Sequence, residues 1–336
     1  LSGLVGSEMC IRDRCMLKII KSDALKLLAW FISSLILGAA LAPFLYHGCK
    51  ALVQLRVLGS FGDIGVWLDS KLDNAHFGRY FNRSMLIGAL ICAYPLIKSL
   101  NLNKSLLGLD KNPNRFKDFG IGFLLSAGIL FVFGIIYFWL GFFERTNSLN
   151  ISALSKFMIS AISVALLEEF IFRGFLFGAV KRTTNTYATL LFISFFFAII
   201  HFLKPPPQCA KLLAEDIHYF GTGFWTVGQI FIQFENPVFI AKGFATLFAV
   251  GLVLGWARIY TSSLWLSIGL HAGWVFCVKT YDYHSNIPQN LKENFLLPYI
   301  GSDLKEGLIP LVGVILTGII AIFWIKIRRR KQSITD

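Results

Sequence analysis

The sequence is poor in charged residues, and its cysteines lack the spacings of metal clusters. Asp, Glu, Lys and Arg make up 15% of its 336 residues, whereas 55% are hydrophobic. This balance argues against a soluble domain of this size and favours a chain with several apolar segments of spanning length. The six cysteines form no CxxC pair, so the sequence indicates neither a structural zinc cluster nor a disulfide scaffold. Internal repeats and low-complexity tracts are also lacking.

Acidic residues are scarcer than basic ones, with 19 against 32 and a formal net charge of +13. An excess of this kind is also found in nucleic-acid-binding proteins. Here the bases lie mainly in short connections between apolar segments and in the run 326–331 near the C-terminus. That distribution follows the positive-inside rule. We therefore expect surrounding membrane lipid and no nucleic-acid partner; oligomeric state is left undetermined.

Apolar runs between charged or Pro/Asn-rich breaks predict the fold class, an all-α polytopic transmembrane helix bundle of about eight spans. The expected spans are 26–46, 84–99, 118–142, 152–180, 186–203, 238–260, 262–279 and 307–326. The basic connections after the second, fourth and sixth spans alternate with connections of mixed charge. This pattern predicts an integral protein of the bacterial cytoplasmic membrane with both termini in the cytoplasm.

Four regions are expected along the chain. Residues 1–15 are charged and without helical or strand periodicity, and GSEMCIRDR resembles a translated sequencing adaptor, so a non-native or disordered tail before Met16 is predicted. Residues 16–149 would form the N-terminal spans and 150–280 the core with the candidate site. The loop, last span and basic cytoplasmic tail would occupy 281–336.

Five ionisable side chains interrupt the apolar runs of the predicted core: Glu168, Glu169, Arg173, His201 and His271. Each costs about 2.5–3.5 kcal/mol to place in hydrocarbon on insertion scales, so a function is expected of them. At about 1.5 Å per residue from the cytoplasmic ends of their helices, Glu168, His201 and His271 lie roughly 18, 22 and 14 Å deep. The common depth predicts one shared pocket.

The residue types suggest hydrolytic chemistry. Glu169 and Arg173 are four residues apart and can form an ion pair across one helical turn. Glu168 points about 100° away and is free to act as a general base toward a water molecule. Glu168, His201 and His271 could together hold a divalent metal such as zinc, or the histidines could hydrogen-bond the attacking water and the developing oxyanion directly. Both options stay open at this point.

The motifs resemble those of the CPBP family, the CAAX protease and bacteriocin-processing membrane proteins also called the Abi family. The run 168–173, EEFIFR, fits its EExxxR motif, and 197–201, FAIIH, fits FxxxH. The third motif places Asn four residues after a histidine; His271 fits, but Val275 stands in the later position. We expect that any role of this Asn is lost or is taken by another side chain such as Ser267.

The resemblance covers roughly 150–280 and implies an intramembrane metalloendopeptidase acting on a hydrophobic or membrane-tethered peptide. In the family, the first glutamate is taken to activate water, while the second glutamate and the arginine support it and the histidines complete the site. Carried over, the catalytic set is Glu168, Glu169, Arg173, His201 and His271.

Two functions without hydrolysis are alternatives. Buried Glu and His side chains also relay protons or ions in transporters, although no inverted repeat is visible in this sequence. A catalytically impaired membrane scaffold is the second alternative, and Val275 is the residue that favours it.

Overall fold

The computed structural model describes residues 23–210, 212–241, 243–292, 301 and 304–335. The predicted tail 1–15 and the expected start at Met16 lie outside these residues. The described chain is almost wholly helical, with one two-stranded antiparallel ladder as its sheet structure. The predicted all-α membrane bundle is confirmed.

Fourteen helices occur in the described ranges. In chain order they are α1 Asp23–Gln54, α2 Gly62–Asp73, α3 Phe77–Ser99, α4 Arg115–Trp139, α5 Ile151–Glu169, α6 Phe177–Lys181, α7 Thr186–Ile200, α8 Pro207–Ala210, α9 Thr222–Ile232, α10 Pro237–Ala241, α11 Phe244–Thr261, α12 Trp265–His284, α13 Gln289–Lys292 and α14 Leu308–Thr335. Strands β1 Glu144–Arg145 and β2 Ser285–Asn286 form the ladder, and three 3₁₀ turns occur at Leu58–Phe61, Ala214–Asp216 and Gln233–Glu235.

Among the described residues, six helical segments are long and apolar enough to cross a membrane. They are Leu25–Gln54, Phe77–Ser99, Arg115–Trp139, Ile151–Lys181, Phe244–Thr261 and Leu308–Ile327. The other two predicted spans are helical as well: α7 has 15 residues and α12 has 20. The second span begins at Phe77, seven residues before the expected 84, because arginines interrupt the hydropathy signal of its first two turns.

The fourth span contains a local irregularity that the sequence pattern did not predict. Residues Phe170–Leu176 form a π-helical segment between α5 and α6. A π turn takes up one more residue than an α turn, and such segments inside α-helices are frequent at functional sites. This one begins directly after Glu169 and contains Arg173.

The described chain divides into two compact units. The first comprises the described residues up to Asn101 together with Leu203–Asn236. Its helices α1 and α3 approach closely at Gly88, where an added Cβ would lie 2.9 Å from the Ser34 carbonyl oxygen. Small residues permit such crossings of membrane helices. The Pro-rich connection after the fifth span lies mostly in this unit and contains α8 and α9.

The second unit comprises Leu102–Phe202 and the described residues from Pro237 onward. Helix α12 lies at its centre and packs against α4, α5 and α11. Its largest apolar cluster includes the fully buried Leu254 and Leu270, and Leu266 and Tyr137, each 1% exposed. All five predicted site residues belong to this unit.

Candidate active site

Three polar side chains from α5, α7 and α12 meet in the second unit. The Glu168 Oε2 atom lies 3.7 Å from His201 Nε2 and 3.8 Å from His271 Nε2. The three residues are far apart in sequence, so this meeting depends on the packing of the helices. The geometry places them in one layer, which the counted depths predicted.

Glu169 is the centre of a buried polar network. Its Oε1 atom accepts hydrogen bonds from Arg173 Nη1 and from His271 Nδ1, each at 2.9 Å. The side chains of Glu169 and Arg173 are completely buried. A buried charge is costly unless it is paired and hydrogen-bonded, and this contact supplies both conditions. The i,i+4 ion pair expected from the sequence is present, although Arg173 lies in the π segment.

Phe197 contacts several members of the network through its ring. The Arg173 guanidinium lies 4.2 Å from the ring centroid, which is a cation–π distance. The ring centroids of His201 and His271 lie 4.3 and 6.2 Å away. Phe197 is 1% exposed. Phe197 is the first residue of the FxxxH motif, one turn before His201, and this spacing was the signal in the sequence for the contact.

His201 follows the last residue of α7, where helix carbonyls lose their usual donors. Its backbone N–H bonds to the Ala198 carbonyl, so the Phe197 carbonyl is open to the ring, and Nδ1 donates to it at 2.7 Å. His271 Nδ1 likewise donates to the Glu169 carboxylate. In the neutral rings, both Nε2 atoms therefore carry a lone pair.

Glu168 stands apart from the ion pair. Its side chain is 29% exposed, yet Oε2 is buried and has no hydrogen-bond partner in the described part of the chain. The 3.7 and 3.8 Å separations exceed the roughly 2.7–3.2 Å of a direct hydrogen bond. A carboxylate oxygen thus faces two imidazole nitrogens across a gap that a small ligand with donor hydrogens could fill.

The same three atoms were expected to be able to hold zinc. Two ligands of a tetrahedral zinc ion, each about 2.0–2.1 Å from the metal, lie about 3.3–3.4 Å apart. The carboxylate-to-imidazole separations are wider, and no group of three His, Cys, Asp or Glu side chains within the described ranges is placed to hold a metal ion. As they stand, the side chains do not fit a zinc site, so metal binding stays a prediction.

The position expected to hold Asn is occupied by Val275, which is partly buried. Ser267, the substitute considered from the sequence, is fully buried, and its hydroxyl donates to the Leu254 carbonyl at 2.9 Å. This hydrogen bond joins α12 to α11. Val275 has no polar side-chain atom and the Ser267 hydroxyl is bonded to the Leu254 carbonyl, so neither residue stands in for the Asn of the motif.

Two glycines explain how α12 presents His271 to α5. Gly269 and Gly273 flank the histidine on another face of the helix and pack on α4, where an added Cβ at Gly269 would collide with the Phe119 carbonyl. Gly122 of α4 also lies close to α12, since its Cβ would be 2.7 Å from the Leu266 carbonyl oxygen. The GxxxG spacing 269–273 in the sequence is the signal for this close helix packing.

Comparisons with known proteins agree with the motifs. No curated protein and no solved structure matches the chain significantly. A family model does match, over residues 150–277, and this segment contains all five side chains of the cluster. The matching family model is described as type II CAAX prenyl endopeptidase, Rce1-like.

Proposed function

We propose that this protein is an intramembrane endopeptidase in which Glu168 activates a water molecule to hydrolyse a peptide bond. The observation that carries the proposal is the buried Glu168 Oε2 atom, which has no hydrogen-bond partner among the described residues and faces two imidazole Nε2 atoms. A carboxylate held beside such acceptors suits general-base chemistry. The match of residues 150–277 to an endopeptidase family model supports the same reaction class.

The proposed reaction needs only water and the peptide. A water molecule in the gap donates one hydrogen to Glu168 and the other to an imidazole Nε2, which leaves a lone pair for the carbonyl carbon. As the C–O bond forms, Glu168 takes the water proton; as the C–N bond breaks, it returns a proton to the leaving nitrogen. The imidazole that accepts the second water hydrogen can donate that proton to the developing oxyanion, and the proton stays with the carboxyl group of the product. The products are a carboxylic acid and an amine.

Glu169, Arg173 and Phe197 are positioning residues in this proposal. Glu169 holds the His271 ring through Nδ1, and this contact directs the Nε2 lone pair toward Glu168. Arg173 compensates the charge of Glu169. A carboxylate that orients an imidazole in this way sets its tautomer and its direction.

The proposed substrate is a hydrophobic or membrane-tethered peptide. Glu168 lies in the segment Ile151–Lys181, which is long and apolar enough to span a membrane, so we propose that a substrate partitions into lipid to reach it. The family description names prenylated CAAX peptides for its members. For this chain we propose the broader class of apolar peptides, because the described residues include no recognised prenyl site.

Replacement of Glu168 tests the proposal directly. Glu168→Gln keeps the size of the side chain and removes the base, so cleavage of quenched-fluorescent, lipid-anchored apolar peptides in liposomes should fall by about 10²–10⁴-fold. Glu144→Gln is the matched control, since Glu144 is exposed in β1. Equal cleavage by Glu168→Gln and the wild type would remove Glu168 from the mechanism; a folded wild type inactive on the whole panel would favour the scaffold.

Chelation tests the metal. Because the separations are wider than those of zinc ligands, we expect peptide cleavage to persist after treatment with 1,10-phenanthroline and dialysis. The control is a zinc protease treated in parallel, whose activity must disappear. If the chelator abolishes cleavage and added Zn²⁺ restores it, a zinc ion would instead be assigned to Glu168, His201 and His271.

A further inference from the structure

A second polar contact joins α5 and α12, away from the catalytic layer. The Lys279 Nζ atom donates to Ser160 Oγ at 2.9 Å, and both residues are partly buried. Ser160 precedes Glu168 by eight residues, and Lys279 follows His271 by eight. Because Glu169 contacts His271, the two helices run antiparallel. The Lys279–Ser160 pair therefore lies along the same helix–helix seam, about 12 Å from the proposed base.

Lys279 brings a positive charge to this contact without a counter-ion. Among the described residues, no carboxylate lies within ion-pair distance of its ammonium. A charged side chain within a membrane span is costly, and such groups ordinarily pair with one another or face a cavity. An ammonium has three N–H donors, and the contact with Ser160 uses one of them. Lys279 can therefore bind an anion without losing the contact that it already makes.

The Ser160 hydroxyl is a further donor at this position. On the same helix, the Ser163 hydroxyl donates to the Ile159 carbonyl at 2.8 Å. The Ser160 hydroxyl donates to no acceptor among the residues that the structure describes, and its oxygen accepts from Lys279. An ammonium and a hydroxyl side by side supply a positive charge and several donors. This combination suits the oxygens of an anion.

The pair lies deeper than phospholipid headgroups are expected to reach. The segment Ile151–Lys181 has 31 residues, so it is about 46 Å long and matches a whole bilayer, of which about 30 Å is hydrocarbon. Ser160 lies about 13 Å from the first residue of the segment, inside the hydrocarbon layer. A peptide within the membrane can carry an anion to this depth. An extended peptide rises about 3.3 Å per residue, so about four residues connect the pair to Glu168.

We propose that Lys279 and Ser160 form a subsite for an acidic side chain of the substrate, about four residues from the scissile peptide bond. The ammonium and the hydroxyl donate to the two carboxylate oxygens, and the two opposite charges compensate each other. The substrate class is then an apolar peptide with one Asp or Glu at this distance. The position of the scissile bond rests on the proposed hydrolysis, whereas binding of the carboxylate does not require cleavage.

The probes are lipid-anchored, quenched-fluorescent apolar peptides with blocked termini. Each carries Glu or Gln at one position, scanned over about three to five residues on either side of the scissile bond, and cleavage is measured in phosphatidylcholine liposomes. At the matching position, wild-type kcat/KM for the Glu peptide should exceed that for the Gln peptide by about tenfold, mainly through KM. Lys279→Met should abolish this preference and still cleave the Gln peptide like the wild type. Ser160→Ala should reduce the preference.

Ser163→Ala and Lys71→Gln are the matched controls. The Ser163 hydroxyl bonds within its own helix, and Lys71 is exposed in the first unit. Both variants should keep the wild-type preference for the Glu peptide. Thermal unfolding of every variant in detergent verifies the fold.

Peptide binding to Glu168→Gln separates the subsite from the hydrolysis. This variant should bind the Glu peptide about tenfold more tightly than the Gln peptide, measured in detergent by microscale thermophoresis. Selective binding without cleavage by the wild type would contradict the proposed hydrolysis and support the subsite.

Two results would overturn the subsite while the hydrolysis stands. One is wild-type cleavage with equal kcat/KM for the Glu and Gln peptides at every scanned position. The other is a preference for Glu that persists in Lys279→Met. If the wild type shows no peptide preference but retains phosphatidylglycerol over phosphatidylcholine, and Lys279→Met does not, the pair belongs to a lipid phosphate instead.

Discussion

Neighbouring glutamates in this protein occupy very different environments. Glu169 is fully buried and accepts from an arginine and a histidine, whereas Glu168 is partly exposed and faces the two Nε2 atoms. Adjacent helical residues point about 100° apart, so a single position decides which carboxylate is structural. Removal of either glutamate should therefore have a distinct consequence.

Glu169→Gln should reduce stability much more than Glu168→Gln. It leaves the Arg173 charge buried without its counter-ion, a change that costs about 3–5 kcal/mol in comparable buried pairs. Thermal unfolding in detergent should show a clear drop for Glu169→Gln and little change for Glu168→Gln. The double variant Glu169→Gln/Arg173→Met should recover part of the loss, and failure to recover any would contradict the assignment of charge burial as the cause.

At the scale of residues, the sequence predicted which side chains meet in the candidate cluster better than it predicted the contacts among them. Glu168, His201 and His271 could be placed at one depth because helical rise is constant. The cation–π contact of Arg173 with Phe197 depends on packing between helices that are distant in sequence. So does the direction of each imidazole, and the spacing within one helix encodes neither.

Among the helices, the closest contact that positions the site is the one between α4 and α12. Gly122 on α4 and Gly269 and Gly273 on α12 allow the two backbones to approach. Membrane helices gain little from the hydrophobic effect between themselves and depend on such close packing. His271 is carried between the two glycines of α12, so its placement depends on this contact.

Gly122→Ala and Gly120→Ala form a matched pair on the same helix. An added Cβ at Gly122 would meet the Leu266 oxygen and the Leu270 nitrogen at 2.7 and 2.8 Å, whereas one at Gly120 meets nothing within 4 Å. We expect Gly122→Ala to lose about 1–3 kcal/mol and Gly120→Ala to be neutral or slightly stabilising because Ala favours helix. Thermal unfolding compares them, and equal melting temperatures would refute close packing at Gly122.

On the scale of the whole molecule, the predicted helices are present because a long apolar run in a membrane must satisfy its backbone hydrogen bonds internally, and a helix does so. The short α7 and the polar end of α12 show where hydropathy alone loses accuracy. The division into two units, with Leu203–Asn236 joined to the N-terminal helices, was not visible from composition, since it depends on contacts between distant segments.

The orientation in the membrane follows from the charge distribution and is a prediction. With both termini in the cytoplasm and an even number of crossings, a green fluorescent protein at the C-terminus should fluoresce in a bacterial host. Alkaline phosphatase inserted after Ser148 should be active, because that connection would face the outside. A dark C-terminal fusion together with an inactive insertion at Ser148 would reverse the orientation.

The π segment Phe170–Leu176 makes the fourth span sensitive to its residue count. Gly174 and Gly178 fit against the carbonyls of Leu107 and Leu106, so the far end of the span is anchored. Deleting one residue between these anchors and Glu169 would convert the wide turn to an ordinary one and swing the glutamates by about 100° relative to that anchor. A change of chain length at this turn would therefore keep all the candidate catalytic side chains but alter their arrangement.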